Sequence, residues 1–328
     1  MCGFIGVFSE NKANHNIEYA LSLILHRGPD DKGIHKSPDG LCSLGFRRLS
    51  IMDLSKQAHQ PMCNEDGSIW IVFNGEIYDF HPFRRILMEK GHRFKSLSDT
   101  EVLIHGYEEY GIDLLEKIDG MFAFAILDVS KRLLFLARDR LGIKPLYYYH
   151  DGTTFCFASE LKALEGIQPL NLSLDNTAIY DFLTYLYIPT PKTLYKKISK
   201  LYPGHYLLFN CTKGTYTKKS YWNLEYAPNH SMTLEKSASQ LRDIIGQSVE
   251  SQIVADVPLG FFLSGGIDSS IVVSAASEFS NFLKTFSIGF DISRTMRQTM
   301  LQLWPKGSRL NITQRYCHLT APKNSMTK

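Results

Sequence analysis

Met1-Cys2-Gly3-Phe4-Ile5-Gly6-Val7-Phe8 opens the chain, and its reading decides the fold. Phe4 to Phe8 is a short apolar run of the kind that forms a buried strand. Directly before it stands a cysteine behind an initiator methionine. Methionine removal is favoured when the next residue is small, and it would leave Cys2 with a thiol and a free α-amine on one residue. A free α-amine has an ordinary pKa of about 7.7–8.0 and serves as a base near neutral pH. The rival reading is a small residue that merely opens a buried strand.

Working outward, Ile69 to Phe73, Met121 to Leu127, Leu133 to Ala137, Thr154 to Ala158 and Tyr206 to Phe209 repeat the pattern of the opening strand. All are rich in Ile, Val, Phe, Leu and Tyr and bounded by Gly, Asp or Asn. Helical patterns lie between them over Ile17 to Leu25, Phe80 to Lys90, Thr100 to Tyr110 and Asn176 to Tyr187. The strands come in clusters and not in strict alternation with helices, which favours an α+β layered domain. Near Tyr221 the character changes. Thr233 is a helix cap candidate, followed by a helix to about Val254, a strand over Val257 to Leu263, a helix over Asp268 to Glu278 and a strand over Thr285 to Phe290. That order is a βαβ pattern of a parallel α/β domain.

Composition narrows the class. The 328 residues are 44% hydrophobic and 21% charged, an ordinary globular balance. No run reaches the roughly 18 apolar residues of a membrane helix, and the first residues do not read as a secretory signal. The six cysteines are scattered without a CxxC pair, so neither a disulfide framework nor a zinc site is indicated, and a cytoplasmic location is expected. The net charge of +3 is uneven. Ile292 to Lys328 holds seven Lys/Arg and no acid, which leaves 29 basic and 33 acidic residues elsewhere, a net of −4. A basic tail invites a nucleic-acid reading, but it has no aromatic platform or recognised fold, so no nucleic-acid or membrane partner is expected.

Several motifs follow in order. They are His26-Arg27-Gly28-Pro29-Asp30, Arg47-Arg48-Leu49-Ser50-Ile51, Phe73-Asn74-Gly75-Glu76-Ile77-Tyr78, Ser98-Asp99-Thr100-Glu101-Val102 and Asp139-Arg140-Leu141-Gly142-Ile143-Lys144-Pro145-Leu146-Tyr147. With Met1-Cys2-Gly3 they resemble the class II glutamine amidotransferase domain, an N-terminal-nucleophile hydrolase, in the version found in glutamine-hydrolysing asparagine synthetases. The resemblance covers essentially residues 1–290. It implies a four-layer αββα sandwich over 1–220 and a partial, parallel-sheet ATP pyrophosphatase domain over 232–290.

The resemblance also implies roles. Cys2 is the nucleophile, and Asn74 (side-chain N–H) with Gly75 (backbone N–H) forms the oxyanion hole. Arg48 matches the donor to the α-carboxylate of glutamine; Asp99 and Glu76 match the groups that meet its α-ammonium. Gly75 lets the backbone approach the substrate closely. Read alone, Asn74-Gly75 is a hairpin turn signal, and Arg48 could be a surface arginine. His26, Arg27 and Asp30 are expected to brace the site. Phe46 stands where many relatives carry His, with a packing consequence expected.

Ser264-Gly265-Gly266-Ile267-Asp268-Ser269-Ser270 follows an apolar strand and opens a helix. Small residues there let N–H groups and hydroxyls surround an anion. The motif resembles the pyrophosphate loop of N-type ATP pyrophosphatases; it lacks the Gly-Lys-Ser/Thr of a Walker loop. The resemblance implies ATP at Ser264, Gly265, Gly266, Asp268 and Ser269, Mg2+ at Asp268, and a backbone contact to adenine at Ile288. It further implies aspartate as the ammonia acceptor, an ammonia passage lined by Met121 to Phe124 and Ala158 to Leu164, and leaves a homodimer open.

After Asp291 the resemblance stops, and the family's next Asp-Glu-Ala…Ala pattern is missing. One permitted codon choice for Thr295 to Lys306, read from its third base, restores Asp-Glu-Ala-Asn-Asp-Ala-Thr-Ile-Met-Ala-Lys. Residues 291–328 are therefore expected to be a frameshifted, irregular tail, with a working glutaminase half and an incomplete synthetase half. The DNA downstream of the Asp291 codon tests this. The alternatives are an amidotransferase with another acceptor, such as one making glucosamine phosphate or phosphoribosylamine, a β-lactam-forming relative, and a non-catalytic remnant that binds glutamine or a partner. The ATP loop argues against the first two acceptors, and retained Cys2 against the β-lactam relative.

Overall fold

The computed structural model describes residues 1–10, 16–279, 283–290 and 310–317, with 288–290 and 310–317 described through their backbone. The chain divides into two units, Met1–Tyr226 and Ala227–Lys328.

The first unit is built on two six-stranded sheets. In chain order its strands are β1 (Gly3–Ser9), β2 (Asp31–Lys36), β3 (Cys42–Arg48), β4 (Met62–Cys63), β5 (Ile69–Tyr78) and β6 (Asp119–Asp128). They continue as β7 (Leu133–Arg138), β8 (Tyr147–His150), β9 (Thr154–Ala158), β10 (Ile198–Lys200), β11 (His205–Asn210) and β12 (Thr215–Ser220). One sheet runs β10-β8-β9-β1-β3-β2 and the other β12-β11-β7-β6-β5-β4. Every pairing within them is antiparallel. The helices are α1 (Ile17–Leu23), α2 (Phe80–Glu89), α3 (Asp99–Tyr110), α4 (Leu161–Glu165) and α5 (Asn176–Tyr185).

Side-chain alternation explains why the strands read as continuous apolar runs. On β1, Phe4 and Phe8 enter the layer between the sheets, while Ile5 and Val7 face α1 and α4. On β6, Ala123, Ala125 and Leu127 line the inter-sheet layer, while Phe122, Phe124 and Ile126 face α2 and α3. Both faces of both sheets are covered, which makes four layers, αββα. Each fully buried Phe contributes about 1.5–3 kcal/mol. Phe46 packs in the inter-sheet core.

Two local readings change. Asn74-Gly75 is no turn: β5 runs straight through it, with Asn74 opposite Ala123 and Gly75 opposite Phe122. Turn chemistry is overridden because β6 supplies a partner along the whole strand. Gly75 has its own structural cause, since a Cβ there would lie 2.3 Å from the Met121 carbonyl oxygen. Its close approach is to the neighbouring strand. Arg48, which read alone could be a surface arginine, is buried at the end of β3.

The second unit begins with α6 (Leu234–Gln252), capped by Thr233 Oγ1, which accepts from the Lys236 N–H at 3.3 Å. Then follow β13 (Gly260–Phe262), α7 (Ile267–Phe279), β14 (Leu283–Phe290) and β15 (Leu310–Cys317). β13 pairs parallel with β14, as the βαβ pattern requires, and β14 pairs parallel with β15. Of the tail expected to be irregular, residues 310–317 thus form a strand; 291–309 and 318–328 lie outside the described residues. An open edge of β14 offers unpaired N–H and C=O groups to any extended, β-prone run such as Leu-Asn-Ile-Thr. No helix among the described residues is long and apolar enough to cross a membrane.

Candidate active site

β1 brings Cys2 to the edge of the inter-sheet core, against which it packs. The thiol lies beside the end of β3: Sγ accepts from the Leu49 N–H at 3.4 Å and donates to the Leu49 carbonyl at 3.5 Å. Burial raises the thiol's pKa, with Glu76 adding and the Leu49 N–H, the terminal amine and Arg48 opposing. The resting group is therefore a thiol and needs a base to become a nucleophile. The terminal amine of Met1, present in this structure, is held below its ordinary value, first by burial and further by Arg27 and Lys144, with Cys2 opposing.

The strand behind Cys2 is clamped. Arg27 Nε donates to the Cys2 carbonyl at 2.8 Å, and its Nη1 pairs with Glu160 at 2.8 Å. His26 Nε2 meets the same Glu160 oxygen at 3.0 Å. Asp30 accepts from the Ser50 N–H at 2.8 Å and fixes the loop beyond Leu49. These are the bracing roles expected of His26, Arg27 and Asp30.

A small cavity opens in front of the thiol, lined by Cys2, Arg48, Gly75, Glu76 and Asp99 together with Leu49, Gln60 and Thr100. Asn74 is buried one residue from it, on the face of β5 that carries Val72 into the inter-sheet core. Its Nδ2 has no hydrogen-bond partner among the described residues. Such a buried donor carries a cost on the order of 1–3 kcal/mol unless something accepts from it.

Two carboxylates share the cavity. Burial and the proximity of Asp99 push Glu76 up to about 8, against Lys144 and the terminal amine. Asp99 opens α3, where its Oδ2 accepts from the Ile77 N–H at 3.0 Å. Burial raises it to about 6 in spite of the hydrogen bonds from Ile77 and Ser98. The pair is thus short of positive charge and suited to a cationic ligand group.

Arg48 is engaged by backbone carbonyls of the loop that follows it. Its Nη2 donates to the carbonyls of Met52 at 3.2 Å and Asp53, and its Nη1 to the Ser55 carbonyl at 3.1 Å. It shapes the Met52–Ser55 loop as well as lining the cavity. Three contributors escaped the sequence reading. Leu49 acts through its backbone. Gln60 ties Thr100 Oγ1, at 3.1 Å, to the Phe73 N–H, at 2.7 Å. Lys144 is buried with its Nζ 3.6 Å from Met1 Sδ. Leu49 and Lys144 had a signal, their places in the Arg47–Ile51 and Asp139–Tyr147 motifs; Gln60 had none.

In the second unit, Ser264, Gly265, Gly266, Asp268 and Ser269 lie where β13 turns into α7, with Gly265 at φ +76°. The hydroxyls organise the loop: Ser269 Oγ accepts from the Ser264 N–H at 3.2 Å, and Ser270 Oγ donates to the Gly266 carbonyl at 2.8 Å. Ser287 Oγ donates to the Leu263 carbonyl at 2.6 Å and joins β14 to the loop's start. Asp268 lies in the first turn of α7. Ile288 is in β14; its side chain lies outside the described residues.

Comparison with known proteins places this geometry. Residues 1–222 match the family described as glutamine amidotransferase domain, and residues 240–300 match that described as asparagine synthase. Among curated proteins, a glutamine-hydrolysing asparagine synthetase of Bacillus subtilis is 40% identical over 297 residues, covering 89% of this chain and 46% of that protein. A putative asparagine synthetase of Methanocaldococcus jannaschii is 37% identical, covering 89% of this chain and 60% of that one. An amidase of Penicillium rubens is 35% identical over 268 residues, covering 80% of this chain and 38% of that protein. The chain spans about half the length of the first two. Among solved structures, a glutamine phosphoribosylpyrophosphate amidotransferase of B. subtilis aligns with a TM-score of 0.51 at 19% identity, over 84% of this chain and 64% of that one. That likeness concerns the fold alone, which is the N-terminal-nucleophile hydrolase sandwich.

Proposed function

We propose a function from one premise: the chain belongs to the glutamine amidotransferase domain family. On that premise, Cys2 hydrolyses the side-chain amide of glutamine to glutamate and ammonia. The observation that carries the reading is the buried Nδ2 of Asn74, without a hydrogen-bond partner among the described residues, beside a cavity lined by a half-buried thiol and two carboxyl groups whose pKa values are raised.

The steps follow from the groups present. With Met1 removed, the free α-amine of Cys2 takes the thiol proton, and the thiolate attacks the δ-amide carbon. The developing oxyanion accepts hydrogen bonds from Asn74 Nδ2 and the Gly75 N–H. The amine returns its proton to the departing nitrogen, the C–N bond breaks and ammonia leaves. Water then cleaves the γ-glutamyl thioester and regenerates the thiol. Asp99 and Glu76 meet the α-ammonium of glutamine, and Arg48 its α-carboxylate.

The likeness of residues 240–300 to the asparagine synthase family, and of the chain to glutamine-hydrolysing asparagine synthetases, supports aspartate as the acceptor for that ammonia. Ser264, Gly265, Gly266 and Ser269 would hold the pyrophosphate of ATP at the N-terminus of α7, with the Ile288 backbone near the adenine. The donor set fits: small residues, a left-handed glycine and a helix start favour an anion, and Asp268 in the same turn would hold Mg2+. ATP would supply the activation of the acceptor's carboxylate.

The test is glutamate and ammonia release from glutamine by the purified chain. Release that is lost in Cys2→Ala supports the reading; release that survives in Cys2→Ala, or none from wild type with Met1 demonstrably removed, overturns it. Aspartate-dependent release of AMP and pyrophosphate reads the synthetase half separately.

A further inference from the structure

Away from the glutamine cavity, α3 carries a second constellation. His105 and Glu108 lie on one face of the helix, and His92 comes from the turn after α2. Ligand atoms of all three lie within 4.8 Å of one another. Both imidazoles aim Nδ1 at the same oxygen, Glu108 Oε2: His105 at 2.7 Å and His92 at 3.5 Å. Each ring also has a carboxylate at its other nitrogen. His105 Nε2 faces Glu101 at 3.7 Å, and His92 Nε2 faces Glu109 at 3.3 Å.

A proton joins His105 Nδ1 to Glu108 but leaves His92 Nδ1, 3.5 Å from the same oxygen, beyond ordinary hydrogen-bond length. His105 is almost wholly buried, its side chain 2% exposed, and its Nε2 has no hydrogen-bond partner among the described residues. The surroundings are already fixed. Asn64 Nδ2 donates to the second oxygen of Glu108 at 2.8 Å, and Glu101 accepts from the Lys95 and Ser96 N–H groups, each at 2.7 Å. Lys90, the nearby cation, is engaged by Glu109.

We propose that His92 Nδ1, His105 Nδ1 and Glu108 Oε2 bind a divalent transition-metal ion of the zinc class. Two imidazole nitrogens and one carboxylate oxygen make the donor set that zinc and cobalt take in preference to Mg2+ or Ca2+. A carboxylate behind each ring is the arrangement that orients metal-bound histidines. The side chains of His92 and Glu108 are 18% and 22% exposed, which gives the ion an entry path and a position for water. The ion clamps the Gly91–Ser98 segment to α3, the helix whose first turn carries Asp99. Its role is structural and independent of the glutaminase reading.

The test uses the untagged full chain and Co2+ as the probe. Titration should give one saturable visible d–d band without thiolate charge transfer, and Zn2+ should displace it. His92→Ala and Glu108→Gln, both partly exposed sites that leave the helix core intact, should lose the band. Glu101→Gln should weaken Co2+ binding by about 10–100-fold. Zn2+ should raise the melting temperature of wild type and leave that of His92→Ala unchanged. No saturable band in wild type, a band unchanged in His92→Ala and Glu108→Gln, or a band with thiolate charge transfer overturns the proposal.

Discussion

The two units treat apolar surface in opposite ways. In the first, two sheets and their helices share three apolar layers, and residues such as Phe4, Phe124, Phe155 and Phe157 are fully buried. In the second, the buried apolar cluster among the described residues is Leu263, Val273, Ala276 and Leu283. The nineteen-residue helix α6 has no buried residue, and Leu241 and Ile244 are each 58% exposed. A groove of about 670 Å3 between α6 and α7 is lined by Leu241, Ile245, Ile271 and Phe279. The difference follows from architecture. Antiparallel sheets stacked on one another close their own core, whereas a parallel sheet needs helices on both faces. A site that must exclude water belongs on the first kind of scaffold, and the thiol, Asn74 and the carboxylate pair are all found there.

The largest break of this contrast comes from Cys2, the proposed nucleophile. Cys2→Ala should lower glutamine hydrolysis by about 10⁴-fold or more and leave aspartate-dependent pyrophosphate release at its wild-type level, which we expect to be undetectable. Measurable pyrophosphate release would mean that the second unit is better supported than its described core. Next comes packing. Phe124→Ala removes a fully buried ring from the first unit and should cost about 3–5 kcal/mol in denaturant unfolding followed by near-ultraviolet dichroism. Leu241→Ala, on the open face of α6, should change stability by less than about 0.5 kcal/mol. A large effect of Leu241→Ala would show that the face is covered in solution. Within the site, Asn74→Ala should lower kcat by about 10²–10³-fold with little change in KM. A loss confined to KM would remove Asn74 from the oxyanion hole.

The legibility of the two units differs for related reasons. Runs such as Phe4 to Phe8 and Met121 to Leu127 announced strands because both their faces are buried, so no polar residue interrupts the pattern. β2, β3 and β12 carry polar residues such as His35, Arg47 and Lys218, and only their pairing makes them strands. The candidate site was signalled by ordered motifs, and the cavity brings Cys2, Arg48, Gly75, Glu76 and Asp99 together. What could not be read were roles that depend on backbone groups brought near in space: the Leu49 amide at the thiol, the Met121 carbonyl against Gly75, and the loop carbonyls that occupy Arg48. The His92–His105–Glu108 grouping was hidden for a similar reason. His92 and His105 are thirteen positions apart and belong to different elements.

The carboxylate pair gives the smallest expected effect and the finest test of where the first unit spends stability on function. Glu76 ordinarily titrates near 4.5 and is pushed up to about 8, by burial first and Asp99 second. A carboxyl whose folded pKa is raised favours the protonated folded state. Its stabilising contribution is therefore complete below about 4.5 and is lost as the pH rises through about 8. Without ligand, the wild-type melting temperature should fall across that window, and Glu76→Gln should flatten the fall. The α-ammonium of glutamine reverses the preference, because it is met best by an ionised pair. The KM for glutamine should accordingly drop several-fold between pH 6, where Asp99 titrates at about 6, and pH 8. Glu76→Gln should remove the upper part of that drop while leaving the dependence of kcat in place. A KM that is flat with pH in wild type would mean that the two carboxylates do not meet the ammonium, and the pair would then be a packing feature of α3 against β5.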